Sequence, residues 1–291
     1  MEGDPAIRWQ VMRDLLGRAP STVTRERAKV AKSGWGRRLL DLQDPEGTWA
    51  QGIYGPKWQS TTYTLLQLWR MGLPGTNRAA RRGVARMWDW VVVDGGVNGP
   101  TSGSPPDVCI SAFWLTLSSY FGHEDDRIPG VVDWVLDAQM DDGGWNCVFN
   151  RGRTNHGSFH TTIQVLEALA EMGQHQEAAG RAREFLLAHR LYQSHRTGEV
   201  SNKAFTMLSF PPRWHYDILR GLEHFRLADA PYDERLEDAL DIVRSKQRKD
   251  GLWPLQNKHG GRIWFDMEIG RKPSRWNTLR ALRVLRWAED G

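Results

Sequence analysis

Asp107 and Cys109 lie two residues apart at the head of one apolar run, and His160 heads a second run about fifty residues later. A carboxylate, a thiolate and an imidazole are the donor types of an open zinc site. Three protein ligands then leave a fourth position for water or substrate. The same residues also read as a polar helix start, with Asp107 as a cap and Cys109 as a small buried side chain. His215, within Arg213-Trp214-His215-Tyr216-Asp217, has three readings: fourth ligand, base, or solvent-facing histidine at a helix start. Asp217, two residues on, would orient it as a supporting carboxylate. His156, beside Gly157, reads either as an anion contact or as the entry to a tight turn.

These residues need elements to position them, and the chain supplies a repeat. Gln43 to Trp49, Gln139 to Trp145 and Gln247 to Trp253 each run from Gln through a short polar turn to Gly, any residue and Trp. Weaker copies fall around Gly96 and Gly198, so that the turn glycines 47, 96, 143, 198 and 251 recur roughly every fifty residues, a helix-pair period. The physical logic is local: glycine permits positive φ where a helix ends, the Gln amide can bond the loose groups of the turn, and the Trp folds back over the helix end. Apolar residues spaced by three and four predict inner helices over 59–71, 107–121, 160–172, 215–227 and 275–287, with a further copy over 7–16. The expected architecture is all-α: six inner and about five outer helices in one domain over 1–291. If the hairpins close into a ring, the starts of the inner helices, with Gln59, Cys109, His160, His215 and Arg275, converge on one mouth.

Composition narrows the class. The chain has 291 residues, a net charge of +4 and 40% hydrophobic residues, enough for a sizeable core. Arginines are scattered rather than clustered, which argues against nucleic acid. No apolar run reaches the length of a membrane span, and the start carries no signal-peptide pattern, so a cytoplasmic protein is expected. Two cysteines, Cys109 and Cys147, are too few for a disulfide framework. The 15 tryptophans exceed what the turns use. Trp58, Tyr63, Phe113, Trp114, Phe159, Trp214, Tyr216 and Trp276 are candidates for a substrate-binding cavity wall, with core packing as the competing account.

Gln-x3-Gly-x-Trp turns at this period resemble the tryptophan-turn repeats of the squalene cyclase and protein prenyltransferase superfamily. The resemblance covers nearly the whole chain and implies an α/α toroid of inner and outer helix rings around an apolar cavity. Asp107-Val108-Cys109-Ile110-Ser111-Ala112-Phe113-Trp114 resembles the Asp-x-Cys-Tyr-Ser-Phe-Trp of protein prenyltransferase β subunits, and Phe159-His160-Thr161 their aromatic-His-Thr. The resemblance implies zinc as cofactor, held by Asp107, Cys109 and His160, and prenyl or alkyl transfer to a thiol acceptor, or related metal-assisted chemistry, on an isoprenoid-like substrate; His215 is a further metal candidate from its own surroundings. A partner subunit would come from another chain. Two departures stand out: Thr101 to Ser104 replace the family's diphosphate-gripping Arg-x-x-Lys, and Trp58-Gln59-Ser60-Thr61 replace its His-Gly-Gly-Tyr.

Two other classes stay in view. One is a metal-free terpenoid cyclase that protonates an alkene with an acid such as Asp107. The Asp-x-Asp-Asp of class II triterpene cyclases is missing, and the nearest acidic cluster, Glu124-Asp125-Asp126, reads as a helix entry. The other is a non-catalytic toroid that binds a lipid or protein. The loop cations Arg151, Arg153, Lys258, Arg262, Arg271 and Lys272 could neutralise a diphosphate or simply face solvent. Asp266 and Glu268 read either as a general acid pair or, the favoured reading, as a loop carboxylate pairing with Arg271.

Overall fold

A computed structural model describes residues 3–90, 92–93, 95–97, 105–147, 152 and 154–290. Among them are twelve α-helices: α1 Pro5–Asp14, α2 Pro20–Ala28, α3 Gly34–Leu40, α4 Thr61–Arg70, α5 Arg78–Trp88, α6 Val108–Phe121, α7 Ile128–Asp137, α8 Phe159–Met172, α9 Gln176–Ala188, α10 Ile218–Leu227, α11 Glu237–Ser245 and α12 Arg275–Asp290. The extended structure described is two short antiparallel pairs and a few isolated bridges. The fold is all-α. Among the described residues no helix is long and apolar enough to cross a membrane.

The six inner runs all form, as α1, α4, α6, α8, α10 and α12, with two informative shifts in their starts. Helix α6 begins one residue after Asp107, which caps it by accepting from Cys109 N. Helix α10 begins at Ile218, capped by Asp217, so His215 belongs to the preceding loop and not to a helix start.

The tryptophan turns show why the sequence pattern recurs. Gln43 Nε2 donates to Gly47 O and Ala79 O, both at 2.8 Å. Gln139 repeats this on Gly143 O at 2.8 Å and Ala178 O at 2.9 Å. Gln247 donates to Gly251 O at 3.1 Å. The three glycines have φ of 93°, 85° and 77°, a region costly for any residue with a Cβ. The indoles of Trp49, Trp145 and Trp253 are almost wholly buried. Trp49 and Trp253 donate through Nε1 to Leu39 O and Val243 O, both at 2.7 Å, which closes the preceding helix end. Each turn also carries a bond the motif did not include. The Trp main-chain N–H donates to a threonine in the first turn of the next helix: Trp49 to Thr61, Trp145 to Thr162 and Trp253 to Thr278, each at 2.9 Å. The copy assigned to Gly96 differs. Gly95 takes the positive φ, and Gly96 pairs with Val93 in a two-residue ladder.

The chain divides into two compact units, Met1–Val135 with Gly260–Met267, and Leu136–His259 with Glu268–Gly291. In the first, α1 packs on α2 and α3, and α4 on α5 and α6. The stretch from Gly260 to Met267 runs along the start of α4. Trp58 N donates to Arg262 O at 2.6 Å and Arg262 N to Lys57 O at 2.9 Å, while Trp58 Nε1 reaches Gly260 O at 2.7 Å. In the second unit, α8 packs on α9 and α10, and α10 on α11 and α12.

Candidate functional site

In the first unit the candidate residues fall into two groups. Tyr63 on α4 gathers Trp58, Tyr54 and Phe113, with ring centroids 4.7, 5.3 and 6.2 Å from its own. Its hydroxyl donates to Tyr54 Oη at 2.9 Å. Gln59, next to Trp58, donates through Nε2 to Ile263 O at 3.1 Å, so it ties down the 260–267 stretch. Trp114 stands apart: it is wholly buried, with the Trp88 and Trp90 rings at 5.6 and 5.9 Å, and serves as core. Asp107 is half-buried, with one oxygen on Cys109 N at 3.1 Å. Cys109 and Cys147 are half-buried thiols. Within Glu124-Asp125-Asp126, Asp125 grips Arg127, whose hydrogen bonds hold the Asp125 carboxyl down at about 2. That acid is ionised at any ordinary pH and cannot deliver a proton, which supports the helix-entry reading.

In the second unit, His160 and Trp214 face each other with centroids 5.1 Å apart, and His160 and His215 at 5.8 Å. His215 lies flat between Trp214 and His259, 3.7 Å from each. Phe159, Phe205 and Tyr216 continue the same aromatic cluster. Burial lowers the His160 pKa to about 4, with the neighbouring charges of His215 and Arg220 adding to it. Burial likewise takes His259 to about 4. Both rings are neutral near pH 7. Trp276 is buried and stacks on Phe210 at 4.2 Å, a packing role. Arg275 is exposed; its main-chain N–H and that of Trp276 donate to Glu268. Glu268 thus caps α12, with Ser274 Oγ as a further donor, in place of the loop pairing with Arg271.

Asp217 does not orient His215. Its carboxylate accepts from Ser209 N and Oγ at 3.1 and 2.5 Å and from Arg220 N at 2.8 Å. It belongs to a buried ionic ladder across α8, α10 and α12 that motif reading missed. Arg220 forks onto Glu167 at 2.8 and 2.6 Å and holds His215 O at 2.7 Å. Arg280 bonds Glu223 at 2.5 Å and Ser209 O at 2.8 Å and lies 3.6 Å from Asp217, while Arg283 also pairs with Glu223. Burial would raise the Glu223 carboxyl, but the Arg280 and Arg283 charges hold it at about 2. The available signal was the presence of Glu167, Arg220, Glu223, Arg280 and Arg283 inside apolar helical runs. Lone charges there must be paired.

One hydrogen bond at His160 bears on zinc. Tyr216 N–H donates to His160 Nδ1 at 2.9 Å. A neutral imidazole that accepts at Nδ1 carries its proton on Nε2. Neither nitrogen then offers a lone pair to a metal. In metal sites the polarity runs the other way, with the non-ligating nitrogen donating to a carbonyl or carboxylate. Among the described residues no three His, Cys, Asp or Glu side chains gather as an ion would need. With Nδ1 engaged by Tyr216, His160 does not fit the role of a zinc ligand. Lys258, Arg262, Arg271 and Lys272 are exposed; Arg151, Arg153 and the stretch 101–104 lie outside the described residues.

No protein-family model matches the sequence, and no curated protein matches it. Among solved structures, a protein from Actinoplanes is similar over 98% of this chain and 90% of that one, at 18% identity and a TM-score of 0.50. A variant of the type II terpene cyclase MstE from Scytonema, in complex with geranylgeranyl dihydroxybenzoate as substrate, matches over 98% and 87%, at 15% identity and a TM-score of 0.51. Another variant of that cyclase, in complex with merosterolic acid A as product, matches over 99% and 88%, at 16% identity and a TM-score of 0.50. These likenesses show the fold, the α/α-toroid class that the tryptophan turns led us to expect.

Proposed function

We propose that the chain is a terpenoid cyclase-like enzyme that starts a cation cascade on an isoprenoid substrate by protonating a carbon–carbon double bond. The observation that carries this reading is the likeness, along nearly the whole chain, to a type II terpene cyclase in complex with a geranylgeranyl-bearing substrate. Asp107 is the proposed proton donor. One of its oxygens accepts from Cys109 N, and the other is the oxygen proposed to hand on the proton. In the chemistry, the O–H bond breaks as a C–H bond forms at the alkene, leaving a tertiary cation. Internal double bonds then attack in turn, and the last cation loses a proton. The Tyr54, Trp58, Tyr63 and Phe113 cluster, in the same unit as Asp107, offers π faces that would stabilise positive charge without trapping it as a nucleophile would.

The test is turnover of geranylgeranyl dihydroxybenzoate, geranylgeranyl diphosphate and squalene by the purified full chain, with a chelator present. The expected product is a ring-containing isomer of unchanged mass from one of these. Asp107→Asn is expected to lower its rate at least about 100-fold, the range for loss of a general acid. No isomer from any of the three, or turnover that the chelator abolishes and zinc restores, overturns the reading.

A further inference from the structure

A second group of histidines lies in the same unit as His160, on an open cleft of about 650 Å³. That volume suits a small organic ligand. His156, His189 and His195 line it, together with Asn146 and the rings of Phe159 and Phe205. The backbone sets their tautomers. His189 Nδ1 faces Phe185 O at 2.7 Å, so it bears the proton and leaves Nε2 as an acceptor. His195 Nδ1 lies 2.8 Å from that Nε2 and must donate to it. The lone pair is thereby handed on to His195 Nε2. His156 Nδ1 lies 3.2 Å from Gly157 O, which leaves its Nε2 as a second acceptor. Burial lowers the His189 pKa against the raising effect of the Phe185 carbonyl, which favours the neutral ring at this position.

Asn146 supplies a third acceptor, independently of the histidines. It is only 4% exposed. Its Nδ2 donates to His156 O at 3.0 Å, which rules out a flipped amide. Its Oδ1 is buried and has no hydrogen-bond partner among the described residues. A buried acceptor of this kind calls for a donor, and the described residues do not provide one. Beside the acceptors, Phe159 and Phe205 present rings whose centroids are 4.9 Å apart.

We propose that this cleft binds a dihydroxyaryl compound, a flat ring whose two O–H groups donate to Asn146 Oδ1 and to a histidine Nε2. Phe159 and Phe205 give the cleft an aromatic wall, and the acceptors outnumber what one hydroxyl could satisfy. A metal ion would need three donors on one point, and His189 Nε2 is already spent on His195. The proposal goes beyond the cyclase reading and does not require it, because binding is read with the free diol and no turnover.

The experiment is calorimetric titration of the full chain with resorcinol and, separately, with its dimethyl ether and with cobalt(II). Resorcinol is expected to bind one site saturably, and the ether, which has no O–H donor, about ten-fold or more weaker. His195→Ala and Phe205→Ala are each expected to weaken resorcinol at least about three-fold. Circular dichroism would show that both variants are folded. Asn146→Ala is a poorer probe, since the same amide also holds the His156 carbonyl. Absence of saturable binding, equal binding of the ether, or wild-type affinity in both variants overturns the proposal. So does cobalt binding that displaces resorcinol and is lost in His195→Ala, which would make the cleft a metal site.

Discussion

Two histidine clusters share the second unit, and the backbone turns them to opposite uses. At His160 a main-chain N–H points at Nδ1, which makes the ring an acceptor toward its own protein and leaves a donor on its far side. At His189 a carbonyl points at Nδ1, so its lone pair is taken up by His195 and passed to His195 Nε2, and at His156 another carbonyl leaves Nε2 as an acceptor. The first cluster is locked by aromatic faces and by Arg220, whose guanidinium holds the His215 carbonyl. The second opens on solvent. A histidine count would rank them equal; the partner of one ring nitrogen separates them.

The contrast can be broken most forcefully at Arg220. Arg220→Met leaves Glu167 buried without its cation and releases the His215 carbonyl, and is expected to cost about 3 kcal/mol in denaturant unfolding. A loss below about 1 kcal/mol would mean the ladder does not lock the first cluster. The pH dependence of stability gives the next largest effect. The folded-state pKa of His160 is depressed from 6.5 to about 4, so the unfolded chain binds the proton more readily. Its contribution is fully present above pH 6.5 and is lost as pH falls toward 4. Unfolding measured at pH 7 and pH 5 is expected to show about 1–2 kcal/mol less stability at the lower pH from this group. His160→Gln is expected to flatten that slope, and an unchanged slope would place the titration elsewhere. The smallest effect belongs to the cleft: His195→Ala, at an exposed position, is expected to change stability by under about 0.5 kcal/mol. A larger loss would make the second cluster structural like the first.

Much of the scaffold was readable from the order of residues because its determinants are local. A helix end, a glycine able to take positive φ and a Gln that bonds that glycine's carbonyl four residues on lie within one turn, so spacing alone exposes them. The threonines that receive the Trp N–H follow it by 12, 17 and 25 residues, so no fixed spacing marks them, and a lone Thr in a helix start looks like any other cap. Trp114 and Trp276 were harder, since a tryptophan in an apolar helix has the same sequence signature on a cavity wall as in the core.

What the order of residues determined, then, is the repeat, the all-α class and the six inner helices, each set by contacts a few residues long. What folding decided is the state of the side chains between them. Asp217 faces Ser209 and not His215, Glu268 caps α12, and His160 receives an N–H from Tyr216, 56 positions away. A proton's place on an imidazole depends on which main-chain group lies opposite. Only the packing of distant segments brings that group into position.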